Sequence, residues 1–512
     1  MLIPDMLSKA AADDPQKEAF IEKHRRLTFR EADEASGRLA QFLLSQGIRK
    51  GDRLGIFSAK CIEEIVVILA AMKMGALFVH INPHVKSEQL RHIVANCGMR
   101  ALFVHDSRIG VLNQAGLEES SIKLLVRLSQ AQAQRRDRSE YEHEYALEDI
   151  LQCADADFAG SLQTEAVHED DPAAILYTSG STGKPKGIVV THRIFSEATI
   201  TSAQVLENRR TDRLISVTPF SFDGALSQLF TMLYVGGTLV LQESLFPHDI
   251  VETMLREQIT GFHGVPSLWR MLLQKHSPLA KHHYPHLRYI SIIGEPFPHD
   301  ELMKLKALLT QTKFYMMYGI TEAFRSTCLL PEEFERKIPS VGKPLPGVDI
   351  TVEDEDGRLR GPGEIGEIVH RGAFVSPGYW NDPAKTSEVF RNGALHTGDL
   401  GKLDEEGYLY FVGRKDKMLK SQGFRFSPEE VEERLCRMPG VIEAAVIGRH
   451  DLDKGSSLKA LVVTELGLAL TEKEVIRYCK SILPYYMIPD TVEFREPLPK
   501  TANLKINRSE LS

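Results

Sequence analysis

The sequence has few cysteines, and they form no metal-binding or disulfide pattern. Six cysteines occur in 512 residues, and no two of them make a CxxC pair. No Cys/His cluster has the spacing of a zinc site. Scattered cysteines are typical of free thiols in a reducing compartment. A zinc-binding module and a disulfide-stapled secreted domain are therefore excluded.

A long uninterrupted hydrophobic run is also missing. The longest apolar stretch, residues 65–79, contains Lys73 and Gly75 and is too short to span a bilayer. It is expected to be a helix that leads into a strand. The first twenty residues carry acids early and no basic segment before an apolar one, unlike a signal peptide. These features predict a cytoplasmic protein without a membrane partner.

The charge balance is slightly acidic. The 62 basic and 70 acidic side chains give a net charge of −8, and the pI is about 6.2. A chain with this balance does not hold nucleic acid through a general basic field. Hydrophobic residues make up 43% and charged residues 26% of the chain, which is typical of an ordered protein with a sizeable core. The length fits either three domains of about 150 residues each or one large body with an appendage.

Strand-like runs alternate with helical patterns over most of the chain, which predicts parallel sheets covered by helices. The segment 129–148 is highly charged and is expected to be a solvated excursion. From about residue 345 the pattern changes to strands and turns, which predicts a small antiparallel β unit. The expected fold class is α/β: an N-terminal body (1–415) with that small β unit, and a mobile C-terminal α+β lid (416–512). The strands expected in the body are 53–57, 77–81, 101–105, 124–127, 173–178, 214–218, 238–241 and 289–293.

A glycine-rich loop is the most informative segment of the chain. Residues 176–187 read LYTSGSTGKPKG and lie between two strand-like runs. Glycines allow backbone N–H groups to converge on an anion, and lysines neutralise its charge. A Walker loop would open a helix after its lysine, but here Pro185 and a strand follow, so a P-loop ATPase is disfavoured. The loop predicts a phosphate site built from Thr178, Ser179, Gly180, Ser181, Thr182, Gly183 and Lys186, with Lys184 beside them.

This loop and further motifs resemble the adenylate-forming superfamily, which includes acyl-CoA synthetases, nonribosomal adenylation domains and luciferases. The motifs follow in the family's order along essentially the whole chain. One departure is Leu504, which stands where the family usually has glycine. The other matching segments are GEP (294–296), MYGITE (317–322), LHTGD (395–399), GRKDKMLK (413–420) and PKTANLK (499–505).

The resemblance implies that a substrate carboxylate attacks the α-phosphate of ATP and releases pyrophosphate. It implies that Tyr318 stacks on adenine and that Asp399 accepts hydrogen bonds from the ribose, with Arg414 as a further polar contact. A single carboxylate with phosphate oxygens and water suits Mg²⁺, and Glu322 is the implied ligand. The implied cofactors are thus ATP and Mg²⁺. The remaining implied ATP-binding residues are Gly294, Glu295, Pro296, Met317 and Gly319.

The implied catalytic residues are Lys505, Glu322 and Thr321. By resemblance, Lys505 bridges the carboxylate and the α-phosphate, and Thr321 hydrogen-bonds that phosphate. The C-terminal lid is expected to rotate about Asp416, which removes Lys505 so that a thiol reaches the adenylate. The segment 421–425 would then line a tunnel for the thiol's pantetheine arm.

The acid pocket is expected around Asp223. In amino-acid-activating relatives an aspartate in this place pairs with the substrate's ammonium group, and a buried carboxylate needs such a partner. The alternative is an aspartate that caps a helix or joins a salt bridge. Arg325 would either pair with a second substrate carboxylate or neutralise a nearby acid. The other predicted pocket residues are Gly224, Ser227 and Ile293, with Met317 as an apolar wall.

The expected acceptor is the phosphopantetheine thiol of a separate carrier protein, and coenzyme A is the alternative. No LGGxS-like carrier site occurs in the sequence, so the thiol is expected on a separate molecule. Asp223 favours an amino acid passed to a carrier protein, whereas the segment 424–432 resembles that of CoA ligases better. An AMP-forming ligase for a non-amino acid and CoA is the alternative. A luciferase-like oxygenase, a P-loop kinase and a non-catalytic binding protein are the competing classes.

Overall fold

The computed structural model describes most of the chain. It covers residues 1–117, 120–128, 143–153, 165–179, 185–294, 297–415, 419–421, 424–451, 455–465, 468, 470–483, 485–501 and 506–511. Predicted site residues 180–183, Glu295, Pro296, Asp416 and Lys505 therefore lie outside the described residues, as does Lys184.

Several helices of the described residues begin at caps or prolines that the sequence supplies. Thr28, for example, accepts a hydrogen bond from the Glu31 N–H, and Glu31 reciprocates at the cap, so the second helix starts there. The helices are α1 (Ile3–Asp13), α2 (Phe29–Ser45), α3 (Ile62–Met74), α4 (Ser87–Cys97), α5 (Ile109–Ala115), α6 (Leu147–Gln152), α7 (His192–Val205), α8 (Asp223–Val235), α9 (Pro247–Arg256), α10 (Pro266–Leu273), α11 (His299–Leu308), α12 (Phe334–Lys337), α13 (Pro383–Val389), α14 (Pro428–Cys436) and α15 (Glu472–Ile482).

The strands agree closely with the runs expected from the sequence. Those at 53–57, 77–81, 124–127 and 238–241 are confirmed to the residue, and the others in the body differ at their ends by one or two residues. The strands are β1 (Glu18–Glu22), β2 (Arg25–Thr28), β3 (Arg53–Phe57), β4 (Leu77–Ile81), β5 (Ala101–Val104), β6 (Leu124–Arg127), β7 (His143–Ala146), β8 (Pro172–Ser179), β9 (Pro185–Thr191), β10 (Arg213–Ser216), β11 (Thr238–Leu241), β12 (Gly261–Gly264), β13 (Tyr289–Ile292), β14 (Lys313–Tyr318), β15 (Thr327–Leu329), β16 (Lys343–Pro344), β17 (Val348–Glu353), β18 (Gly366–Gly372), β19 (Phe390–Arg391), β20 (Ala394–Leu403), β21 (Leu409–Arg414), β22 (Leu419–Ser421), β23 (Phe424–Phe426), β24 (Val441–Asp451), β25 (Gly455–Thr464) and β26 (Thr491–Phe494).

Two mainly parallel sheets form the body. The first has the order β7-β6-β5-β3-β4-β8-β9, with β9 antiparallel to β8. The second has the order β16-β15-β14-β13-β12-β10-β11-β1-β2, with antiparallel strands only at its two ends. Parallel neighbours require crossover connections, and helix α3, for example, supplies the one between β3 and β4. The expected α/β architecture is confirmed.

The helices between the sheets carry the main core. Phe195 on α7 stacks on Phe78 of β4 at 5.8 Å and meets Phe230 of α8 edge-on at 5.0 Å. It also meets Phe324, 5.5 Å away, beside the candidate active site. One cluster of buried apolar side chains thus joins both sheets to the turn after β14.

Helix α3 is the apolar stretch that the sequence analysis singled out. Nearly all of its side chains are buried in the core, including Ile65, Ile68 and Met72. A helix that is enclosed on most of its faces is apolar on most of them. Within the described ranges, no helix combines the length and the hydropathy needed to cross a membrane.

The chain after residue 345 forms smaller units, as expected. An antiparallel sheet has the order β17-β18-β20-β19, with β21 paired to β20. Farther along, β22 pairs with β23, and β24-β25-β26 form a three-stranded sheet against which α14 packs. The boundary at 415/416 stays a prediction, because 416–418 lie outside the described residues.

One expectation was wrong. The charged segment 129–148 was expected to be a solvated excursion, yet residues 143–146 form β7 and Leu147 opens α6. Strand β7 pairs in parallel with β6, and Leu147 and Ile150 enter the core. Two apolar side chains and a strand edge outweigh the surrounding charge there. The part at 129–142 lies outside the described residues.

Candidate active site

Three residues that the motifs predicted meet at one point. Tyr318 ends β14, Asp399 lies in β20, and Arg414 ends β21. Antiparallel pairing of β20 with β21 places Asp399 directly opposite Arg414. The Tyr318 hydroxyl donates to Asp399 Oδ2 at 2.7 Å, and Arg414 Nη1 donates to Oδ1 at 2.9 Å.

The carboxylate of Asp399 is buried and held in one orientation. Its residue is only 3% exposed, so its charge needs the donors that surround it. Burial and the neighbouring Asp399 charge raise the pKa of Tyr318 well above its usual value, so the hydroxyl stays protonated and donates. Gly398, next to Asp399, has φ +69°, a conformation that favours glycine. The Asp399 carboxylate therefore has a fixed orientation in this structure.

Glu322 lies in the turn that follows β14. Its Oε1 accepts a hydrogen bond of 2.8 Å from the Tyr379 hydroxyl. Its backbone carbonyl accepts one from the Ser376 N–H, also 2.8 Å long. Burial raises the pKa of the Glu322 carboxyl, and the Tyr379 hydrogen bond acts in the opposite direction. The carboxylate is thus oriented by a residue that sequence reasoning missed.

The segment around Tyr379 joins Glu322 to strand β9. Ser376 Oγ donates to the Val189 carbonyl at 2.7 Å, and the Trp380 N–H donates to the Gly187 carbonyl at 2.8 Å. Gly378 has φ +139°, and a Cβ there would meet Thr386 at 2.4 Å. The signal that could have found Tyr379 is a Gly-Tyr-Trp run in a loop of small and polar residues.

The predicted phosphate loop connects two antiparallel strands. Thr178 in β8 lies opposite Lys186 in β9, and Ser179 lies opposite Pro185. A strand follows the loop, as expected, instead of the helix of a Walker motif. The four residues between the strands that were predicted to bind phosphate, 180–183, lie outside the described residues. Lys186 therefore lies close to the Tyr379 segment along β9, because the next residue, Gly187, accepts the hydrogen bond from the Trp380 N–H.

The turn after β14 is sharply bent. The Ser326 N–H donates to the Tyr318 carbonyl at 3.0 Å, which closes the turn. Phe324 has φ +52°, a conformation that costs a bulky residue energy and is found mostly at functional sites. A Cβ on Gly319 would approach the Arg325 backbone to 3.2 Å. Thr321 and Glu322 precede the bend at Phe324, and Arg325, which follows it, is buried in the protein interior.

Asp223 and Arg325 face each other in the predicted acid pocket. Asp223 opens α8, and its Oδ2 lies 3.8 Å from Arg325 Nη1. Arg325 is only 3% exposed, and its Nη1 also donates to the Phe324 carbonyl at 3.2 Å. The sequence left open that Asp223 joins a salt bridge and that Arg325 neutralises a nearby acid. The observed ion pair matches both of these alternatives. The pairing of Asp223 with a substrate ammonium group stays a prediction.

His263 is a pocket residue that sequence reasoning missed. A Cβ on Gly224 would lie 2.8 Å from His263 Nε2, so glycine is required beside this ring. The His263 Nδ1 lies 2.8 Å from Ser291 Oγ. Burial, with the Arg325 charge, lowers the pKa of His263 to about 3, so the imidazole is neutral. Its signal in the sequence was a histidine between two glycines in a strand-like run, 261–264.

The remaining predicted pocket residues lie close to this pair. Ser227 is on the first turns of α8, Met317 is near the end of β14, and Ile293 follows β13; all three are buried. Gly294 follows Ile293 with φ +102°. Within the described ranges, no cluster of three or more His, Cys, Asp or Glu residues could hold a metal ion.

Comparison with known proteins covers both parts of the chain. Residues 7–380 match the family model of an AMP-binding enzyme, and residues 430–505 match that of an AMP-binding enzyme C-terminal domain. The chain is 29% identical over 510 residues to a long-chain-fatty-acid–CoA ligase, FadD13, of Mycobacterium tuberculosis, covering 99% of this chain and 97% of that protein.

Two further comparisons bear on the acceptor and the nucleotide. A linear gramicidin synthase of Brevibacillus parabrevis is 31% identical over 513 residues, which cover 97% of this chain and 6% of that protein. The structure of O-succinylbenzoate coenzyme A synthetase (MenE) from Bacillus subtilis, in complex with ATP and a magnesium ion, superposes with a TM-score of 0.84. It is 28% identical and covers 99% of this chain and 98% of that one.

Proposed function

The chain belongs to the AMP-binding enzyme family, and on that premise we propose that it is an AMP-forming acid–CoA ligase. In the first step a substrate carboxylate oxygen attacks the α-phosphorus of ATP, and pyrophosphate leaves. In the second step the thiol sulfur of coenzyme A attacks the acyl carbon, and AMP leaves with the electron pair of the broken bond. The thiol proton passes to solvent.

The observation that carries the proposal is the meeting of Tyr318, Asp399 and Arg414. They come from three separate segments, and each belongs to a motif whose resemblance implied nucleotide binding. A buried carboxylate with fixed orientation suits the two hydroxyls of a ribose. Catalysis of phosphoryl transfer depends mainly on such prior positioning and on electrostatic stabilisation.

The magnesium ion is proposed to bind at Glu322. A magnesium ion bound there would supply positive charge that offsets the charge on the phosphate oxygens. What this chain contributes is an anionic oxygen held in place by Tyr379. Burial raises the pKa of Glu322, and the hydrogen bond from the Tyr379 hydroxyl acts in the opposite direction, so this hydroxyl favours the ionised carboxyl. Lys186, Thr178 and Thr321 are proposed to contact phosphates, and Lys505 the reacting carboxylate.

Two arguments favour coenzyme A over a carrier protein as the acceptor. FadD13, a CoA ligase, matches end to end, whereas the gramicidin synthase is matched over 6% of its length. The ion pair of Asp223 with Arg325 also weakens the case for an amino acid, since the carboxylate already has a cationic neighbour. Transfer of an amino acid to a carrier protein is the second outcome that the experiment distinguishes.

The experiment is ATP–pyrophosphate exchange with a panel of fatty, aryl, hydroxy and amino acids. Acid-dependent exchange is expected, and adding coenzyme A should then yield acyl-CoA and AMP, detected by mass spectrometry. Release of ADP, or no exchange with any acid, would overturn the adenylation proposal. If exchange occurs but no acyl-CoA forms, and the acyl group is instead transferred to a phosphopantetheinyl carrier protein, the proposal that coenzyme A is the acceptor would be overturned.

A pair of matched variants tests the site itself. Glu322→Gln removes the proposed metal ligand, and exchange is expected to fall at least 100-fold, since one interaction of a charged group with a transition state is worth about 3 kcal/mol. Glu355→Gln makes the same change at an exposed turn between β17 and β18 and is expected to leave exchange unchanged. Equal activity of the two variants would contradict the role of Glu322.

A further inference from the structure

A small cavity, lined mostly by buried residues, lies beside the proposed acid pocket. It is bounded by α7, α8 and the strands β10, β12, β13 and β14. Its lining includes Gly224, Ser227, Met317 and Arg325, so it is continuous with the proposed acid site. Its volume is about 10 Å³, which is room for about one water molecule. A long alkyl chain does not fit into this end of the pocket.

The walls of the cavity carry polar atoms that lack partners. Among the described residues, Gln228 Oε1, Arg325 Nε, Ser202 Oγ and Asn208 Oδ1 are buried without a hydrogen bond, and all four residues line the cavity. Gln228 is 5% exposed, and its amide is oriented because Nε2 donates to the Ile215 carbonyl at 3.2 Å. Each such atom costs about 1–3 kcal/mol when it stays unpaired. The cavity therefore offers unpaired acceptors, Gln228 Oε1 and Asn208 Oδ1, and an unpaired donor, Arg325 Nε–H, to one small polar group.

The charges around the cavity cancel. Arg325 is cationic, Asp223 at 3.8 Å is anionic, and His263 is neutral. A third charge placed here would be buried without a counterion, which is strongly unfavourable. An ammonium group and a second carboxylate are therefore disfavoured, and an alkyl group would leave the polar atoms unpaired.

We propose that the acid which this enzyme activates carries a neutral hydroxyl group, and that this hydroxyl fills the cavity between Gln228 and Arg325. The inference rests on the proposed function, because it concerns the substrate of the same site. A hydroxyl donates one hydrogen bond and accepts others, so it pairs with the Gln228 carbonyl oxygen and the Arg325 Nε–H. It also has the size of the water molecule that the cavity holds. The substrate class is thus a short hydroxy acid.

The test compares acids of matched length in ATP–pyrophosphate exchange. Hydroxy acids of three to six carbons, with the hydroxyl at each position, are each paired with the unsubstituted, amino and dicarboxylic acid of that length. At least one hydroxy acid is expected to exceed its unsubstituted partner about 100-fold or more in kcat/KM, since sites that hydrogen-bond a hydroxyl discriminate strongly. It should exceed the amino and dicarboxylic acids by a similar factor.

A pair of variants tests whether the preference for hydroxy acids depends on the cavity. Gln228→Met keeps the side-chain length and removes the acceptor, so the ratio of hydroxy to unsubstituted acid should fall at least tenfold. Gln204→Met, on the exposed side of α7, should leave that ratio unchanged. Both are compared at equal thermal stability, measured by their melting temperatures. If Gln228→Met does not fold, an Asp223→Asn/Arg325→Gln double variant replaces it. This double variant removes the Arg325 Nε–H donor and keeps the cavity neutral, so the same ratio of hydroxy to unsubstituted acid should fall.

The outcomes separate the two proposals. If fatty, aryl or amino acids support exchange and no hydroxy acid is preferred, the inference is overturned and the adenylating function stands. Equal rates with and without the hydroxyl would mean that the cavity holds an ordered water only, which also overturns it. If no acid supports exchange, the proposed function itself fails.

Discussion

Lys60 is a buried cation whose replacement by methionine should stabilise the protein at neutral pH. It follows β3 and is only 8% exposed. Its Nζ donates to Ser216 Oγ at 2.9 Å and lies 3.8 Å from the centre of the Phe220 ring. Phe220 belongs to the segment that leads to the proposed acid pocket.

The magnitude follows from the protonation of this lysine. Burial lowers its pKa from 10.5 to about 8, although the nearby Glu64 and Cys61 act to raise it. The difference between those two pKa values corresponds to about 3 kcal/mol. Methionine has a similar length and no charge, so it avoids this penalty, but it loses the Ser216 hydrogen bond, worth about 1 kcal/mol. The expected net gain in the free energy of unfolding at pH 7 is about 2 kcal/mol.

The sign of the effect changes with pH. The folded-state pKa is depressed, so the wild-type protein carries the full penalty below about pH 8 and loses it as the pH rises towards 10.5. Above that range both proteins bury a neutral side chain, and the variant lacks one hydrogen bond. The variant should therefore be about 2 kcal/mol more stable at pH 7 and about 1 kcal/mol less stable near pH 10.5.

Urea unfolding of both proteins between pH 7 and 10.5 measures this difference. Other titrating groups cancel, because they are common to the two proteins. Lys9→Met, at an exposed position of α1, is the matched control and should show no pH-dependent difference. A Lys60→Met difference that is constant over this range, or a variant that is less stable at pH 7, would refute the reasoning.

Three further predictions concern the active site. Tyr318→Phe keeps an aromatic ring but removes a hydrogen bond to the buried Asp399. The free energy of unfolding should therefore fall by about 1.5–3 kcal/mol, and the KM for ATP should rise. Urea titration and exchange kinetics measure these two quantities, and unchanged values would contradict the prediction. Tyr379→Phe removes the hydrogen bond that opposes the raised pKa of Glu322, so the requirement for Mg²⁺ should rise about tenfold and activity should fall at a higher pH on the acid side. Magnesium titrations at pH 6 and 8 measure it, and a shift of equal size at both pH values would count against the protonation argument. Lys505→Ala should remove most ATP–pyrophosphate exchange, by at least about 100-fold, and near-wild-type exchange would show that Lys505 has another role.

Local patterns predicted most of the elements that position the site. Continuous apolar runs between turn residues are typical of strands buried on both faces, and this identified β3, β4, β6 and β11 to the residue. The loop 176–187 was expected to connect two strands because proline follows its lysine, and it does. The segment 143–148 was misjudged, because its buried residue, Leu147, is an isolated apolar residue among charges.

The pocket could not be predicted to the same depth. The sequence brought Asp223 and Arg325 into one pocket only through family resemblance and left open what each would pair with. Their mutual approach depends on the bend at Phe324, whose positive φ no local pattern announces. His263 was missed because a lone histidine in an apolar strand is usually a core residue. Its contact with Gly224 joins two segments far apart in the chain.

The sequence by itself predicted the alternation of helices and strands, and its motifs led to the proposals of a phosphate-binding loop and of acidic residues for ribose and magnesium. Each of these is written in a contiguous run, because backbone turns and strand burial depend on neighbours along the chain. Only the tertiary structure decided that Tyr379 holds Glu322, that Arg325 neutralises Asp223 and that a water-sized polar cavity adjoins them. These contacts join residues that are far apart in the chain, and the distance between such residues is fixed by strand register and by the packing of helices between two sheets.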